Sequence, residues 1–489
     1  MNNLLKRILF LLLVFLPLAV AAQQKRQFRG AWIQSVNGQF MGLSTQQMQQ
    51  TLSYQLDELQ KDGCNAIIFQ VRPECDALYE SKLEPWSYYL TGEQGKAPSP
   101  YWDPLAWMIT ECHKRGMELH AWINPYRAKT KTAHKNSAGH IVSRHPERCF
   151  EYDGLTLLNP ALKENRDYIC AVVMDIVERY DVDGLHMDDY FYPYPTAGIE
   201  IPDAEDFANN SEGFTDIGDW RRHNVDLFVE QLAETVHNTK PWVKVGISPF
   251  GIYRNLKNDP KGSRTSGLQN YDQLYADILL WDKKGWMDYC VPQLYWEIGH
   301  KAADYDELIH WWNANCRNTN LYIGEDVERT VKYDQQTRKM ALHREQDHVN
   351  GIVLWYAKAA VDNVGGYGTR LRTDYWRYPA LLPLTPWIDS HAPGKVKKLK
   401  TIEVEGRKVL CWTPPKGKDW SNEATKYVVY RFDKGERIDL DDASKIVAIT
   451  SDTHLELPEQ PHKTRHTYVV TALDRMQNES KVRKLKVKY

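Results

Sequence analysis

The feature that most constrains this chain is an alternation repeated eight times. Short β-like runs recur, and stretches with helical periodicity separate one run from the next. The β-like runs fall at 28–33, 65–72, 117–125, 182–188, 243–249, 289–297, 321–325 and 351–356. Helical patterns lie between them at 45–61, 104–115, 164–180, 219–239, 271–284, 303–315 and 334–347. In the first, Met48, Leu52, Leu56 and Leu59 recur at three- and four-residue spacing, which lays one apolar stripe along a helix. The runs are apolar almost throughout, as strands of a parallel sheet covered on both faces must be. Eight strand–helix units predict an α/β fold, a (β/α)8 TIM barrel. A barrel also accounts for most of a 489-residue chain, too long for one ordinary domain.

The flanks differ from the barrel. Lys6 and Arg7 precede an apolar run from Ile8 to about Ala19, and small residues lead to Gln23. That pattern predicts a signal peptide over 1–22, with no membrane anchor left after its removal and a secreted, periplasmic location. The barrel domain is expected over 23–389. Past a linker-like stretch at 390–394, composition shifts to Lys, Thr and short alternating runs. Residues 390–489 therefore read as a small all-β sandwich, with Trp412 and Tyr468 as core anchors. The net charge of -2 argues against a nucleic-acid partner. None of the eight cysteines forms a CxxC pair, so no structural zinc is expected. Cys170 and Cys290, in apolar surroundings, read as buried thiols.

Function in a barrel of this kind gathers where the strands end. The fourth run carries the strongest signal: Gly184, Leu185, His186, Met187, Asp188, Asp189 and Tyr190. Leu185 and Met187 alternate with His186 and Asp188, so the polar pair faces into the barrel. Ionisable residues there are costly unless something uses them. Other strand ends offer Gln70 and Arg72, then His120, Trp122 and Asn124, then Gln293, Tyr295, Trp296 and Glu297, then Glu325, and last Trp355. Asp76 lies in the loop after the second run.

Carboxylates beside aromatic faces suit sugar chemistry. One carboxyl protonates a leaving oxygen, a second group stabilises the developing oxocarbenium, and rings stack on the sugar. The catalytic residues expected are Asp188 and Asp189, with Glu297 as the nearest third carboxylate. The expected sugar contacts are Arg72, Asp76, His120, Trp122, Asn124, His186, Tyr190, Gln293, Tyr295, Trp296, Glu325 and Trp355. No cofactor or metal is expected. Two other classes stay open on residue types alone: a metal-dependent carbohydrate hydrolase using His120, His186 and the aspartates, and a carbohydrate-binding barrel without turnover.

Five longer motifs occur in order. They are Phe69–Pro73 with Asp76–Tyr79, Pro85–Ser87 with Leu90–Gly92, Leu119–Arg127, Gly184–Pro193, and Pro292–Trp296. Together they resemble the glycosyl hydrolase-like family 10 of exported bacterial proteins, over roughly residues 27–385. The resemblance implies a (β/α)8 glycosidase-like domain whose relatives cleave peptidoglycan glycan strands stripped of stem peptides. Many relatives are lipoproteins, but no cysteine follows the leader here until Cys64. The C-terminal stretch resembles a fibronectin type III module.

Adjacent carboxyls at one strand tip are poorly placed for double displacement, which needs about 5–5.5 Å between carboxyls across the sugar. Substrate assistance by a 2-acetamido group fits them better. Asp188 and Asp189 would divide the orienting and proton-donating roles, leaving Glu297 secondary. Strand parity favours Asp188 as the inward acid.

Overall fold

The computed structural model describes residues 23–461 and 463–489. The leader expected over 1–22 lies outside the described residues. The described chain begins with a closed barrel of eight parallel strands in sequential order. They are β1 (Phe28–Ile33), β2 (Ala66–Arg72), β3 (Glu118–Ile123), β4 (Gly184–Met187), β5 (Lys244–Ile247), β6 (Tyr289–Cys290), β7 (Asn320–Asp326) and β8 (Val349–Trp355). The ring closes where Phe28 of β1 pairs with Gly351 of β8.

The outer helices form for local reasons. Helix α1 (Thr45–Lys61) starts at a capping box of Ser44 and Gln47 and buries Met48, Leu52, Leu56 and Leu59. Each such side chain contributes roughly 1.5–3 kcal/mol on leaving water. Helix α2 (Pro104–Lys114) opens with Asp103 accepting from the Ala106 N–H, and with Pro104 where no N–H is needed.

Inside the barrel, side chains of alternate residues make a separate core. Phe28, Trp32, Ala66, Ile68, Trp122, Tyr289, Val291, Tyr322 and Val353 pack together there. Two glycines make room for its large groups. A Cβ at Gly246 would stand 1.8 Å from the Tyr289 ring, and one at Gly184 would stand 2.4 Å from the His120 ring. A polar chain threads this core. Trp32 Nε1–H donates to His186 Nε2 at 3.2 Å. An indole N–H only donates, so the proton of His186 sits on Nδ1 and is given to the Tyr289 hydroxyl at 3.1 Å. Tyr289 then donates to His120 Nδ1 at 2.7 Å, and His120 Nε2–H to Glu118 at 3.0 Å. Lys244 closes the chain on Glu118 at 2.6 Å. Every group in it is satisfied, which is how charges and imidazoles persist in a barrel core.

The sequence pattern and the structure part in four places. The strand expected over 289–297 keeps regular pairing only at Tyr289–Cys290. Pro292 has no N–H to donate, and beyond it Gln293 makes isolated bridges to Phe250 and Gly324. The helix expected over 271–284 is broken at Tyr275, whose φ is 54°, leaving Asn270–Gln273 and Ile278–Lys284. The loop after β3 carries its own antiparallel sheet of Arg127–Lys129, Leu155–Leu158 and Cys149–Tyr152. A further short strand, His454–Glu456, appears in the C-terminal region.

That region folds as two antiparallel sheets, of three and four strands, drawn from residues 397–488. Trp412, Tyr427 and Tyr468 share one of its cores. It caps the end of the barrel where strands begin. Lys426 donates to the Gly116 carbonyl at 3.0 Å, just before β3. Arg475 pairs with Asp181 at 2.9 Å, just before β4, and lies over Trp242, just before β5. All eight cysteines are free thiols, Cys170 and Cys290 among the buried ones. No helix among the described residues is long and apolar enough to cross a membrane.

Candidate active site

The last ladder bond of β4 is from the Ser248 N–H to the Met187 carbonyl. Asp188 and Asp189 follow it directly and start a loop that two aromatics pin down. Phe191 packs edge-on against Trp281 and Tyr192 against Tyr275, both anchors fully buried. Tyr190 and Tyr194 on the same loop bring their rings to 5.4 Å apart, with Tyr190 partly exposed.

Asp188 points inward, as parity predicts. Trp122 Nε1–H donates to its Oδ2 at 3.1 Å, and Asn124 Nδ2–H reaches both oxygens at 3.0 and 3.1 Å. Asn124 is fixed in turn, because its Oδ1 accepts from the Arg127 backbone N–H at 2.8 Å. Burial raises the Asp188 carboxyl above the ordinary aspartate range, against the pull of the Arg127 charge and these donors. Asp189, only 2% exposed, accepts a hydrogen bond from the Tyr194 hydroxyl. Burial first, and then the charge of Asp188, push it up to about 7, with Tyr194 and Gln293 pulling the other way. Two neighbouring carboxyls thus sit in different settings. Asp188 is held between fixed donors as an acceptor, and Asp189 keeps its proton close to neutral pH, the division that acid catalysis requires.

Aromatic rings wall the mouth above. Tyr295 and Trp355 stack with centroids 5.8 Å apart, Trp122 meets Trp355 at 6.3 Å, and Trp32 meets both Tyr295 and Trp355 edge-on. Trp296 packs on Phe250 at 5.3 Å, and Phe250 reaches Tyr194. Gln293 is tied to the Ser248 carbonyl at 2.9 Å. Of the residues expected at the site, Trp122, Asn124, Asp188, Asp189, Tyr190, Gln293, Tyr295, Trp296 and Trp355 meet here.

The other six lie elsewhere. His120 and His186 are fully buried in the barrel interior, with both nitrogens of each ring engaged in the polar chain. Burial and the neighbouring His120 also hold His186 well below its usual range, hence neutral. Neither offers a free nitrogen to a sugar or a metal. Arg72 is displaced by a bulge in β2: beyond Gln70 it pairs with Ile123, whose side chain faces the outer helices. There it is fully buried against Glu84, donating from Nε at 2.8 Å and from Nη2 at 2.7 Å. Asp76, also fully buried, accepts from the Tyr88 N–H and Gln94 and organises its own loop.

Glu325 faces outward because Tyr322, three residues earlier, faces inward. It accepts from Tyr305 and Tyr367. Burial would raise it, but the Lys339 charge and the His343 and Tyr367 hydrogen bonds bring it down to about 2. The inward position on β7 belongs to Asp326, which caps the next helix through the Arg329 N–H. Glu297 turns toward Arg329, at 3.6 Å.

Three site residues fell outside the set expected from sequence. Trp32 shares parity with Phe28 on β1 and could have been found that way. Arg127 stands in the third motif, two residues past a strand-ending proline. Tyr194 lies in a loop without periodicity, and nothing in the sequence marks it.

The family model described as glycosyl hydrolase-like 10 matches residues 27–349. Glycosyl hydrolase YngK of Bacillus subtilis is 39% identical over 96% of this chain and 95% of its own length. Glycosyl hydrolase DigH of Escherichia coli K12 is 37% identical over 63% of this chain and 75% of its own. Among solved structures, the glycoside hydrolase domain of PgaB (BpsB) from Bordetella bronchiseptica is 12% identical at a TM-score of 0.47, covering 71% of this chain and 98% of that one. With a family match across most of the barrel and a relative aligned over nearly the whole length, the chain belongs to the glycosyl hydrolase-like 10 family and is a glycoside hydrolase.

Proposed function

We propose that this enzyme is exported and cleaves an N-acetylated bacterial wall glycan, peptidoglycan strands freed of stem peptides, by substrate-assisted hydrolysis. The observation that carries the reading is the contrast between Asp188 and Asp189 at one strand tip. Asp188, held by Asn124 and Trp122, takes the acetamido N–H of the sugar, so that the acetamido oxygen attacks the anomeric carbon. Asp189, raised to about 7, gives its proton to the leaving oxygen and then takes one from water. The role of proton donor therefore moves to Asp189 from the Asp188 that strand parity favours. Glu297, paired with Arg329, is secondary. Tyr295 and Trp355 form the platform under the sugar. We assign residues 390–489 to a fibronectin type III-like spacer, supported by its three-on-four strand arrangement at the end of the barrel away from the acids.

Digestion of purified denuded and intact wall glycans, with products identified by mass spectrometry, tests the substrate. Release from a plant or host polymer and from neither wall glycan refutes it. Proton NMR of the first product tests the mechanism, which requires retained anomeric configuration and inhibition by thiazoline mimics.

A further inference from the structure

One charged group at the site donates no hydrogen bond to any carboxylate among the described residues. Arg127 is only 9% exposed. Its Nε–H donates to the Pro73 carbonyl at 3.1 Å, and its guanidinium lies 5.3 Å from the Tyr190 ring centre. Among the described residues neither terminal nitrogen donates a hydrogen bond, and Nη2 is buried with no partner. The other arginines buried around this end of the barrel are treated differently. Arg72 has Glu84 at 2.7 Å, and Arg221 has Asp203 at 2.5 Å. The Arg127 charge is felt by the Asp188 carboxyl, but the Asp188 oxygens are already taken up by Asn124 and Trp122. A buried guanidinium with idle nitrogens is costly unless an anion arrives to use it.

We propose that Arg127 is a specificity-determining residue that binds a free carboxylate carried by the sugar beside the scissile bond. The planar fork of an arginine matches a carboxylate, and Tyr190, 37% exposed, offers a face for the sugar that bears it. This rests on the wall-glycan reading. The lactyl ether of an N-acetylmuramyl residue presents such a carboxylate, and loses its charge when the group is bound as an amide to a peptide. Arg127 would then distinguish peptide-free from peptide-bearing strands by charge, without a wall of protein to block the peptide.

The test uses the full chain carrying Asp189→Asn, titrated calorimetrically with an N-acetylglucosaminyl–N-acetylmuramic acid disaccharide and with its methylamide. The acid is expected to bind about 10–100-fold tighter, the range of a charge-assisted pair facing a partner that lacks it. Adding Arg127→Gln brings the ratio to about one, and Arg127→Lys leaves it in between, because an ammonium keeps the charge and loses the fork. A residue that only supports the loop would weaken both ligands equally. Equal binding of acid and amide by the Asp189→Asn protein overturns the proposal, and this comparison stands even if Arg127→Gln does not fold. A glucuronate-containing N-acetylated oligosaccharide serves as third ligand. Tighter, Arg127-dependent binding of that sugar overturns the lactyl source and keeps the carboxylate. Failure of the hydrolase reading looks different: no release from any wall glycan, with selectivity for the acid intact.

Discussion

Asp189→Asn should destroy activity and stabilise the protein, by an amount that depends on pH. The Asp189 carboxyl is raised from 3.8 to about 7 by burial and by Asp188. A raised carboxyl pKa means that the folded state disfavours ionisation. Its contribution to stability is therefore full below about pH 4 and is lost as pH rises through about 7. A shift of about 3 units at ~1.4 kcal/mol each makes the loss about 4 kcal/mol at pH 8 and about 1.5 kcal/mol at pH 5. Asparagine keeps the shape and an acceptor for Tyr194 but cannot ionise, so it escapes this loss. For a barrel of about 350 residues the unfolding entropy is on the order of 0.7 kcal/mol per degree, so the variant should melt about 4–6 °C above the parent at pH 8 and about 2 °C above it at pH 5. Scanning calorimetry at pH 4, 5, 6, 7 and 8 measures this, beside glycan hydrolysis by the same preparations. Loss of the general acid should lower kcat by about 10²–10⁴-fold. In the parent, activity should decline above about pH 7 as Asp189 ionises. A melting difference that does not change with pH, or a variant less stable than the parent at pH 8, would refute the argument that Asp189 is held protonated by its surroundings.

The remaining predictions probe the support around the pair. Asn124→Ala frees Asp188 from two hydrogen bonds, and steady-state kinetics should find kcat down by about 10–100-fold, with a stability loss of about 1–3 kcal/mol. Glu297→Gln should leave kcat/KM within about threefold of the parent, since its partner is Arg329; complete inactivation would return it to the catalytic set. Glu118→Gln leaves Lys244 charged and unpaired in the barrel core, and denaturant unfolding should report a loss of about 3–5 kcal/mol. Gly246→Ala puts a methyl inside the Tyr289 ring, and either no soluble protein or a loss of about 3 kcal/mol or more is expected.

The barrel was legible because periodicity survives in a single sequence. Buried parallel strands must be apolar on both faces and helices on one, so eight alternations leave few other architectures. Where a local rule broke the pattern, the element shifted. Pro292 ended β6 early, and a positive φ at Tyr275 split one helix. Neither the small sheet after β3 nor the strand at His454–Glu456 could be read in advance, since strands of three or four residues are too short for alternation to declare itself.

The site divides along the same line. Sequence alone placed Asp188 facing inward, Asp189 next to it, and Trp122, Asn124, Tyr295 and Trp355 on the same rim, because strand parity and barrel topology are properties of the chain order. It could not tell which polar residues at those positions face substrate and which satisfy one another. His120 and His186 have the parity of site residues, yet they complete a hydrogen-bonded column with Glu118 and Tyr289 deeper in the barrel. Depth along a strand depends on where neighbouring strands begin, and only the closed barrel sets that. Arg72 was carried to the other face by one extra residue in β2. Arg127 acts on Asp188 through its charge and Tyr194 donates to Asp189, both from connections after strands that no period describes. Residue order decides which side chains can face the barrel mouth. Their shared desolvation, and with it the different proton affinities of Asp188 and Asp189, exists only once eight strands and their loops have excluded water from the same point.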